Sequence, residues 1–141
     1  MSDVFGPAKR TAIMRGIRGK DTKPEQAVRR ALHALGYRFR LHLSDLPGTP
    51  DLVFPGRRCV VFIHGCFWHR HSCRKGRSRP TTRADFWDRK LAGNQARDAK
   101  CRRKLQRLGW SVVTVWECQL TPGRFERTIR RITHRLERSG A

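Results

Sequence analysis

Acidic residues are scarce in this chain. Its 141 residues include 11 Asp and Glu against 32 Lys and Arg, so the formal net charge is +21. Self-repulsion of this size is usually tolerated when a protein binds a polyanion, and nucleic acid is therefore the expected partner. A basic ribosome-associated protein or a solvated cationic surface shares this feature, so charge alone selects only a class of ligand.

Long apolar runs are also lacking. No stretch approaches the roughly 20 apolar residues of a membrane-spanning helix, and residues 1–7 lack the apolar centre of a secretory signal peptide. We expect no membrane partner and a cytoplasmic location, at the nucleoid when DNA is bound. Because the chain has no repeats or low-complexity tracts, its length indicates a single α/β domain.

The cysteines do not form an even set. Five cysteines in a chain without a secretory signal argue against a disulfide framework and favour a metal site with one thiol left over. Three histidines, two cysteines and two large aromatics occur within residues 64–73, directly after an apolar strand. This density of metal ligands and bases indicates that function lies in this segment.

Four residues are candidate ligands of a structural zinc ion. Cys66, His71 and Cys73 lie close together in sequence. Of the other three cysteines, one lies inside an apolar strand and one within a basic helical pattern, whereas Cys118 ends a strand, where loops can meet. We therefore expect a tetrahedral Cys3His site.

Local patterns predict the element order α-β-β-β-α-β-α in one domain over residues 22–141, preceded by a basic arm over residues 1–21. A capping box at residues 22–25 begins the first helix, and Pro/Gly turns separate two strands that form a hairpin in the sheet centre. The predicted elements are a helix at 22–36, strands at 37–43, 51–54 and 59–63, a polar loop at 74–83, a helix at 84–108, a strand at 110–116 and a basic amphipathic helix at 124–138.

Asp51 stands at the start of a central strand. With Glu25, His64, His69 and Asp98, it forms the set that a magnesium-dependent phosphodiesterase needs, because hard oxygen ligands hold the metal and a nearby base activates water. Each carboxylate also has a simpler reading: Asp51 could cap the turn after a proline, and Glu25 could complete the capping box of the first helix. For Glu25 taken alone, the capping interpretation is the better one.

Four segments, in this order and with compatible spacing, carry a resemblance to a known family: 46–51 (LPGTPD), 59–69 (CVVFIHGCFWH), 85–87 (DFW) and 108–118 (LGWSVVTVWEC). From about Arg10 to Cys118 the chain resembles the very short patch repair endonucleases, Vsr. The resemblance implies a restriction-endonuclease-like mixed sheet flanked by helices. It also implies a Mg2+-dependent enzyme that nicks duplex DNA 5′ to the thymine of a T·G mismatch left by deamination of 5-methylcytosine.

The resemblance implies a role for each candidate catalytic residue. Asp51 resembles the metal-binding aspartate of the family, His69 its general base and Asp98 the partner that orients His69. Glu25 and His64 resemble the residues that organise the attacking water and the phosphate.

Three positions differ from related sequences. The family carries threonine where this chain has Ile63. The change is harmless if the backbone carbonyl holds the metal, whereas loss of a required hydroxyl would weaken metal binding; we expect the carbonyl to be the ligand. Related nucleases place an acid and a lysine where this chain has Phe62 and His64, so imidazoles must take over the electrostatic task of the lysine. The four zinc candidates match the structural zinc positions of the family.

The resemblance also implies DNA contacts. Phe67, Trp68 and Trp87 resemble the wedge that the family inserts into the weakened base stack of a mismatch. The basic arm resembles a segment that reaches the opposite groove, and its candidate contacts are Met14, Arg15, Ile17, Arg18 and Lys20.

Two alternatives remain open at this stage. One is a zinc-stabilised binding module that recognises mismatches without cutting them, although binding alone does not require the carboxylates and histidines of the candidate site. The other is a nuclease of the same fold with a different mismatch or sequence context. We expect a monomer whose partner is mismatched double-stranded DNA, together with mismatch-repair accessory proteins.

Overall fold

The computed structural model describes residues 22–139. The predicted basic arm and its candidate DNA contacts lie outside the described residues. Within residues 22–139, no helix is long and apolar enough to cross a membrane.

The described residues form a mixed four-stranded sheet flanked by helices. Strand β2 pairs antiparallel with β1 and with β3, and β3 pairs parallel with β4, so that the order across the sheet is β1-β2-β3-β4. The elements are α1 (Lys23–Ala34), β1 (Arg40–Leu41), β2 (Leu52–Phe54), β3 (Cys59–His64), α2 (Arg74–Arg77), α3 (Ala84–Arg107), β4 (Ser111–Trp116) and α4 (Phe125–Ser139), with 3-10 turns at Pro55–Arg57 and Glu117–Leu120.

The predicted element order and the central hairpin are confirmed, and two details differ. The strand expected at residues 37–43 is reduced to two residues, because its partner β2 has only three residues and lies between Pro50 and Pro55. The loop expected at residues 74–83 contains α2, which begins after Cys73. A Cβ at Gly76 in this helix would lie 1.9 Å from the carbonyl oxygen of His71, so glycine allows the close approach of the two segments.

The sheet separates two apolar layers because successive side chains of a strand point to opposite faces. On one face, Val61 of β3 and Val115 of β4 pack with residues of α1 and α4 such as Leu32 and Ile132. On the other face, Val60 and Phe62 of β3 pack with Leu105 of α3, among other residues. Both faces of β3 are therefore covered, as its apolar sequence predicted.

The alternation of side chains also decides where the polar ends of the strands point. His64 lies two residues after Phe62, and Trp116 lies four residues after Val112, so both side chains lie on the face covered by α3. The hairpin places Asp51 at the start of β2 on the same face as Val53. The candidate catalytic residues are thus brought to one end of one face.

Candidate active site

A cleft of about 1020 Å3 opens on the face of the sheet that α3 covers. Four of the five predicted catalytic residues line it: Asp51, His64, His69 and Asp98. The fifth, Glu25, is 1% exposed and is buried next to the cleft instead of lining it. His42, which sequence reasoning did not assign to the site, does line the cleft.

Glu25, His42 and Asp51 form a group that we call the acidic corner. The ligand atoms of the three side chains lie within 4.8 Å of one another. Nε2 of His42 lies 2.8 Å from Oε2 of Glu25 and 3.8 Å from Oδ1 of Asp51. The other oxygen of Asp51 accepts a 2.7 Å hydrogen bond from the N–H of Ile63, and Arg29 binds Glu25 from one helical turn away.

The structure separates the two interpretations of Glu25. Its N–H donates to Oγ1 of Thr22 at 3.3 Å, so the helix is capped as predicted. The carboxylate of Glu25 nevertheless contacts His42 and Arg29, which places it in the site region. The N-cap of the helix is therefore present, whereas the carboxylate that a capping box would use contacts residues of the site.

The acidic corner carries more negative charge than its surroundings favour. Burial raises the pKa of Asp51 to about 8; the hydrogen bond from Ile63 opposes this rise, and the charge of Glu25 adds to it. A bound cation would relieve the repulsion between the two carboxylates. The oxygen donors here are of the kind that hard divalent cations prefer, so the donor set fits such an ion.

His64 and His69 form a stacked pair at the other side of the cleft. Their ring centroids are 3.9 Å apart and the ring planes differ by 6°. Nδ1 of His69 binds the carboxylate of Asp98, which fixes the orientation of the ring. Burial, followed by the charge of His69, lowers the pKa of His64 to about 4, so His64 is uncharged at neutral pH.

His64 also carries an unused polar atom. Its side chain is buried, and Nδ1 has no hydrogen-bond partner among the described residues. Buried polar atoms are usually paired, so an unpaired one in a cleft is available to a ligand or to water.

Cys66, His71, Cys73 and Cys118 form a second group, which we call the Cys/His cluster. Their ligand atoms lie within 4.8 Å of one another, and Sγ of Cys118 lies 3.5 Å from Nδ1 of His71. A tetrahedral zinc site with Zn–S near 2.3 Å and Zn–N near 2.0 Å separates sulfur from nitrogen by about 3.5 Å, so the cluster fits this metal.

The thiols of the Cys/His cluster differ in acidity. The hydrogen bond with His71, aided by the N–H of Gly76, lowers the pKa of Cys73 to about 6, whereas burial raises the pKa of Cys66 to about 12. Cysteine binds a metal as the thiolate, so binding a cation here would release protons, among them that of Cys66.

Trp116 connects the Cys/His cluster to the histidine pair. Its ring stacks on His71 at 4.3 Å and meets His64 edge-on at 5.2 Å. Sequence reasoning did not assign this residue to the site. The signal that could have found it is its position at the end of a strand, immediately before the cluster segment that contains Cys118.

Phe67, Trp68 and Trp87 form the aromatic cluster beside the site. Their ring centroids lie 5.2 to 5.8 Å apart, and all three residues are half-buried. Asn94 of α3 donates a 3.0 Å hydrogen bond to the carbonyl oxygen of Trp68. Since α3 also carries Trp87 and Asp98, this helix positions both the aromatic cluster and the partner of His69.

Comparisons with known proteins identify the family. The sequence profile of the family described as DNA mismatch endonuclease Vsr matches residues 2–75. The chain is 50% identical over 133 residues to the type II nicking enzyme V.XorIIP of Xanthomonas oryzae pv. oryzae, a match that covers 94% of this chain and 97% of that protein. It is 44% identical over 137 residues to the DNA mismatch endonuclease Vsr of Escherichia coli (strain K12), covering 97% and 86%, and 44% identical over 120 residues to the type II nicking enzyme V.NmeAIP of Neisseria meningitidis, covering 85% of each chain. The chain therefore belongs to the Vsr family of DNA mismatch endonucleases.

Proposed function

We propose that this endonuclease nicks duplex DNA 5′ to the thymine of a T·G mismatch left by deamination of 5-methylcytosine, and so initiates very short patch repair. The observation that carries the proposal is that the Asp51 carboxylate and the His69–Asp98 pair line the same cleft. The names of the relatives, which include nicking enzymes and a mismatch endonuclease, support cutting of one strand.

Asp51 and the backbone carbonyl of Ile63 would hold the catalytic Mg2+. Carboxylate and carbonyl oxygens are the ligands this ion prefers, and the raised pKa of Asp51 indicates a site that a cation would stabilise. When bound, the ion supplies positive charge that stabilises the charge developing on the scissile phosphate.

His69 acts as the general base. Its Nδ1–H donates to Asp98, which leaves Nε2 free of hydrogen and able to accept a proton from the attacking water. His64 is uncharged at neutral pH and offers its unpaired Nδ1 to the water or to the phosphate. The two imidazoles thus divide the work of moving a proton and orienting the reactants.

The Cys/His cluster would hold one structural Zn2+ and not a catalytic ion. Four protein ligands fill a tetrahedral zinc site, and a catalytic zinc keeps one position open for water. The cluster joins the segment after β3 to the segment after β4, so a bound ion would fix the loop that carries Phe67, Trp68 and His69.

The aromatic cluster is the proposed mismatch sensor. A wobble pair stacks less well than a Watson–Crick pair, and a protein can insert apolar rings where unstacking is cheap. Phe67, Trp68 and Trp87 are close enough to enter the stack as one unit, and their half-buried rings leave surface available to a base. Basic residues at the rim of the cleft, among them Arg70, Arg97 and Arg102, would contact phosphates.

Asp51→Asn should abolish nicking. The substitution removes a charged metal ligand, so Mg2+-dependent cleavage of a T·G duplex should fall below detection while binding of the duplex persists.

His69→Ala removes the base and should lower the rate by about 10²- to 10⁴-fold. The measurement is a denaturing gel of duplexes labelled on either strand, carrying each mismatch in turn.

The matched control for the nicking experiment is Asp45→Asn. Asp45 is an exposed carboxylate in the loop that leads to Asp51, and its loss should leave the rate unchanged. Wild-type protein that binds the T·G duplex with Mg2+ and cuts no mismatch would establish the binding-module alternative. Cleavage of another mismatch in preference to T·G would establish a different specificity.

Asp51→Asn should also stabilise the protein at high pH when no divalent cation is added. The folded-state pKa of about 8 lies above the unfolded value, so folding takes up a proton and the stability of the wild type falls as pH rises from about 4 to about 8. The asparagine does not titrate and keeps an oxygen for the N–H of Ile63. Thermal unfolding should give the variant the higher Tm at pH 8, with the difference narrowing towards pH 5.

Asp45→Asn again serves as the control, since an exposed carboxylate should produce no such trend. If the wild type proved as stable as Asp51→Asn at pH 8, the buried carboxylate would not carry the proposed electrostatic strain.

Trp68→Ala should weaken mismatch recognition selectively. Stacking of a base on an aromatic ring is worth roughly 1–3 kcal/mol, so affinity for a T·G duplex should fall by about one to two decades. Affinity for the matched duplex depends mainly on phosphate contacts and should change far less. Fluorescence anisotropy at fixed salt concentration measures both.

Trp68→Phe is the matched variant because it keeps a ring that can stack, and it should retain most of the mismatch preference. Equal losses on both duplexes in Trp68→Ala would instead identify Trp68 as a structural residue.

Cys118→Ser should remove the structural metal. The hydroxyl of serine is a poor zinc ligand, so the purified variant should lose its zinc and unfold at a lower temperature than the wild type, which should contain about one zinc per chain. Elemental analysis and thermal unfolding measure the two effects. Cys101→Ser is the control, since that thiol lies outside the cluster. Full zinc retention in Cys118→Ser would exclude Cys118 as a ligand.

A further inference from the structure

We infer that His42 is a positioning residue of the active site, which holds the Glu25 carboxylate against Asp51 and thereby sets how tightly the site binds its divalent cation. The inference rests on the proposed function, in which Asp51 is a metal ligand. It adds the residue that directly follows β1 to a site whose other residues lie in α1, before β2, at the end of β3, in the loop after β3 and in α3.

The backbone brings His42 to Asp51. In the β1–β2 pair, Arg40 lies opposite Val53 and Leu41 opposite Leu52, so the next pair in this register is His42 opposite Asp51. The N–H of His42 donates to the carbonyl oxygen of Asp51 at 3.2 Å, which extends the ladder by this bond. Residues directly opposite in an antiparallel pair present neighbouring side chains on one face.

The side chain of His42 then joins the two carboxylates. Its Nε2 lies 2.8 Å from Glu25 and 3.8 Å from Asp51, and the imidazole is 14% exposed while Glu25 is 1% exposed. A carboxylate only accepts hydrogen bonds, so Nε2 of His42 carries the hydrogen and donates it. His42 also lines the cleft, whereas Glu25 does not, so the imidazole is the member of this pair that borders the cleft.

The backbone at His42 supports a specific role for its side chain. Its φ is +48°, in the left-handed region that glycine adopts without strain. A residue with a side chain pays conformational energy there, and such residues cluster at functional sites. The turn ends β1 after Leu41 and coincides with the contact between the imidazole and Glu25 of α1.

Glu25 is held from two directions. Arg29 binds it from one turn further along α1, and His42 binds it from the sheet. Without the imidazole, the carboxylate would lose its contact with the residue that follows β1, and its distance from Asp51 would be set less firmly. Glu25 is itself a hydrogen-bonded neighbour of the proposed ligand Asp51. Displacing such a neighbour of a metal ligand typically changes metal affinity about 10- to 100-fold.

The test compares His42→Ala with His42→Gln. The amide nitrogen of glutamine reaches about as far as Nε2 of histidine and can donate to Glu25, whereas alanine cannot. His134→Ala is the control, since His134 is an exposed histidine of α4, on the opposite face of the sheet. All variants keep the four residues of the Cys/His cluster unchanged.

Two measurements are made on each variant. Calorimetric titration with Mn2+ reports cation binding by the protein without DNA, and the Mg2+ dependence of nicking separates half-saturation from the rate at saturating Mg2+. His42→Ala should weaken Mn2+ binding and raise the half-saturating Mg2+ concentration by about 10- to 100-fold, with the saturated rate little changed. His42→Gln should stay close to the wild type in both, and His134→Ala should match it.

The outcomes separate this inference from the proposed function. The inference about His42 is overturned if His42→Ala leaves Mn2+ binding and Mg2+ dependence unchanged. It is also overturned if His42→Ala and His42→Gln lose Mn2+ affinity equally, or if His42→Ala lowers the saturated rate at unchanged Mg2+ dependence. If His42→Ala does not fold, His42→Gln decides. A glutamine variant that folds but binds Mn2+ about 10- to 100-fold more weakly than the wild type overturns the role of His42. Asp51→Asn, titrated in parallel, tests the metal site itself, because Mn2+ binding that survives this change contradicts the proposed function and not the role of His42 alone.

Discussion

The parallel pairing of β3 with β4 is the constraint on which the rest of the site depends. In this register His64 lies opposite Trp116, so both strands end at the same edge of the sheet. The segments that follow, residues 65–73 and residues 117–120, therefore leave the sheet side by side. Cys118 meets Cys66, His71 and Cys73 because of this pairing, although 45 residues of sequence separate Cys73 from Cys118.

The same pairing places a single aromatic side chain between two functions. Trp116 stacks on His71 of the Cys/His cluster and meets His64 of the histidine pair edge-on. A shift of the loop after β3 would thus alter the cluster and the cleft together. Asn94 and Asp98 of α3 hold the same loop from the other side, through Trp68 and His69. Trp68 of the aromatic cluster and His69, the proposed general base, are consequently held by contacts from one helix.

Several of the few carboxylates lie at the cleft or at the loop after β3. The chain has few carboxylates, and three of them, Glu25, Asp51 and Asp98, are at or beside the cleft. Two more secure the loop after β3: Asp88 binds Arg70, and Glu117 accepts from the N–H of Cys66. A protein with so large a positive charge attracts phosphates over much of its surface. A local negative site that holds a cation would distinguish the phosphate to be cleaved from the others. Burial raises the pKa of Asp51. A bound cation would oppose this effect, because it favours the charged carboxylate.

The sequence by itself determined the features that depend on near neighbours. A capped amphipathic helix, an apolar hairpin between Pro/Gly turns and a dense run of ligands after β3 are all local patterns, and they led to the element order, to Asp51 and to the four residues of the Cys/His cluster. The tertiary structure decided the remainder. Which way the Glu25 carboxylate turns, and that His42 meets it, depend on the register of β1 with β2 and on a left-handed backbone at one residue. The position of Trp116 between the two histidine groups depends on the pairing of strands about 50 residues apart. Local periodicity carries no information about register, because many alignments of two strands satisfy the same alternation until the packed core selects one.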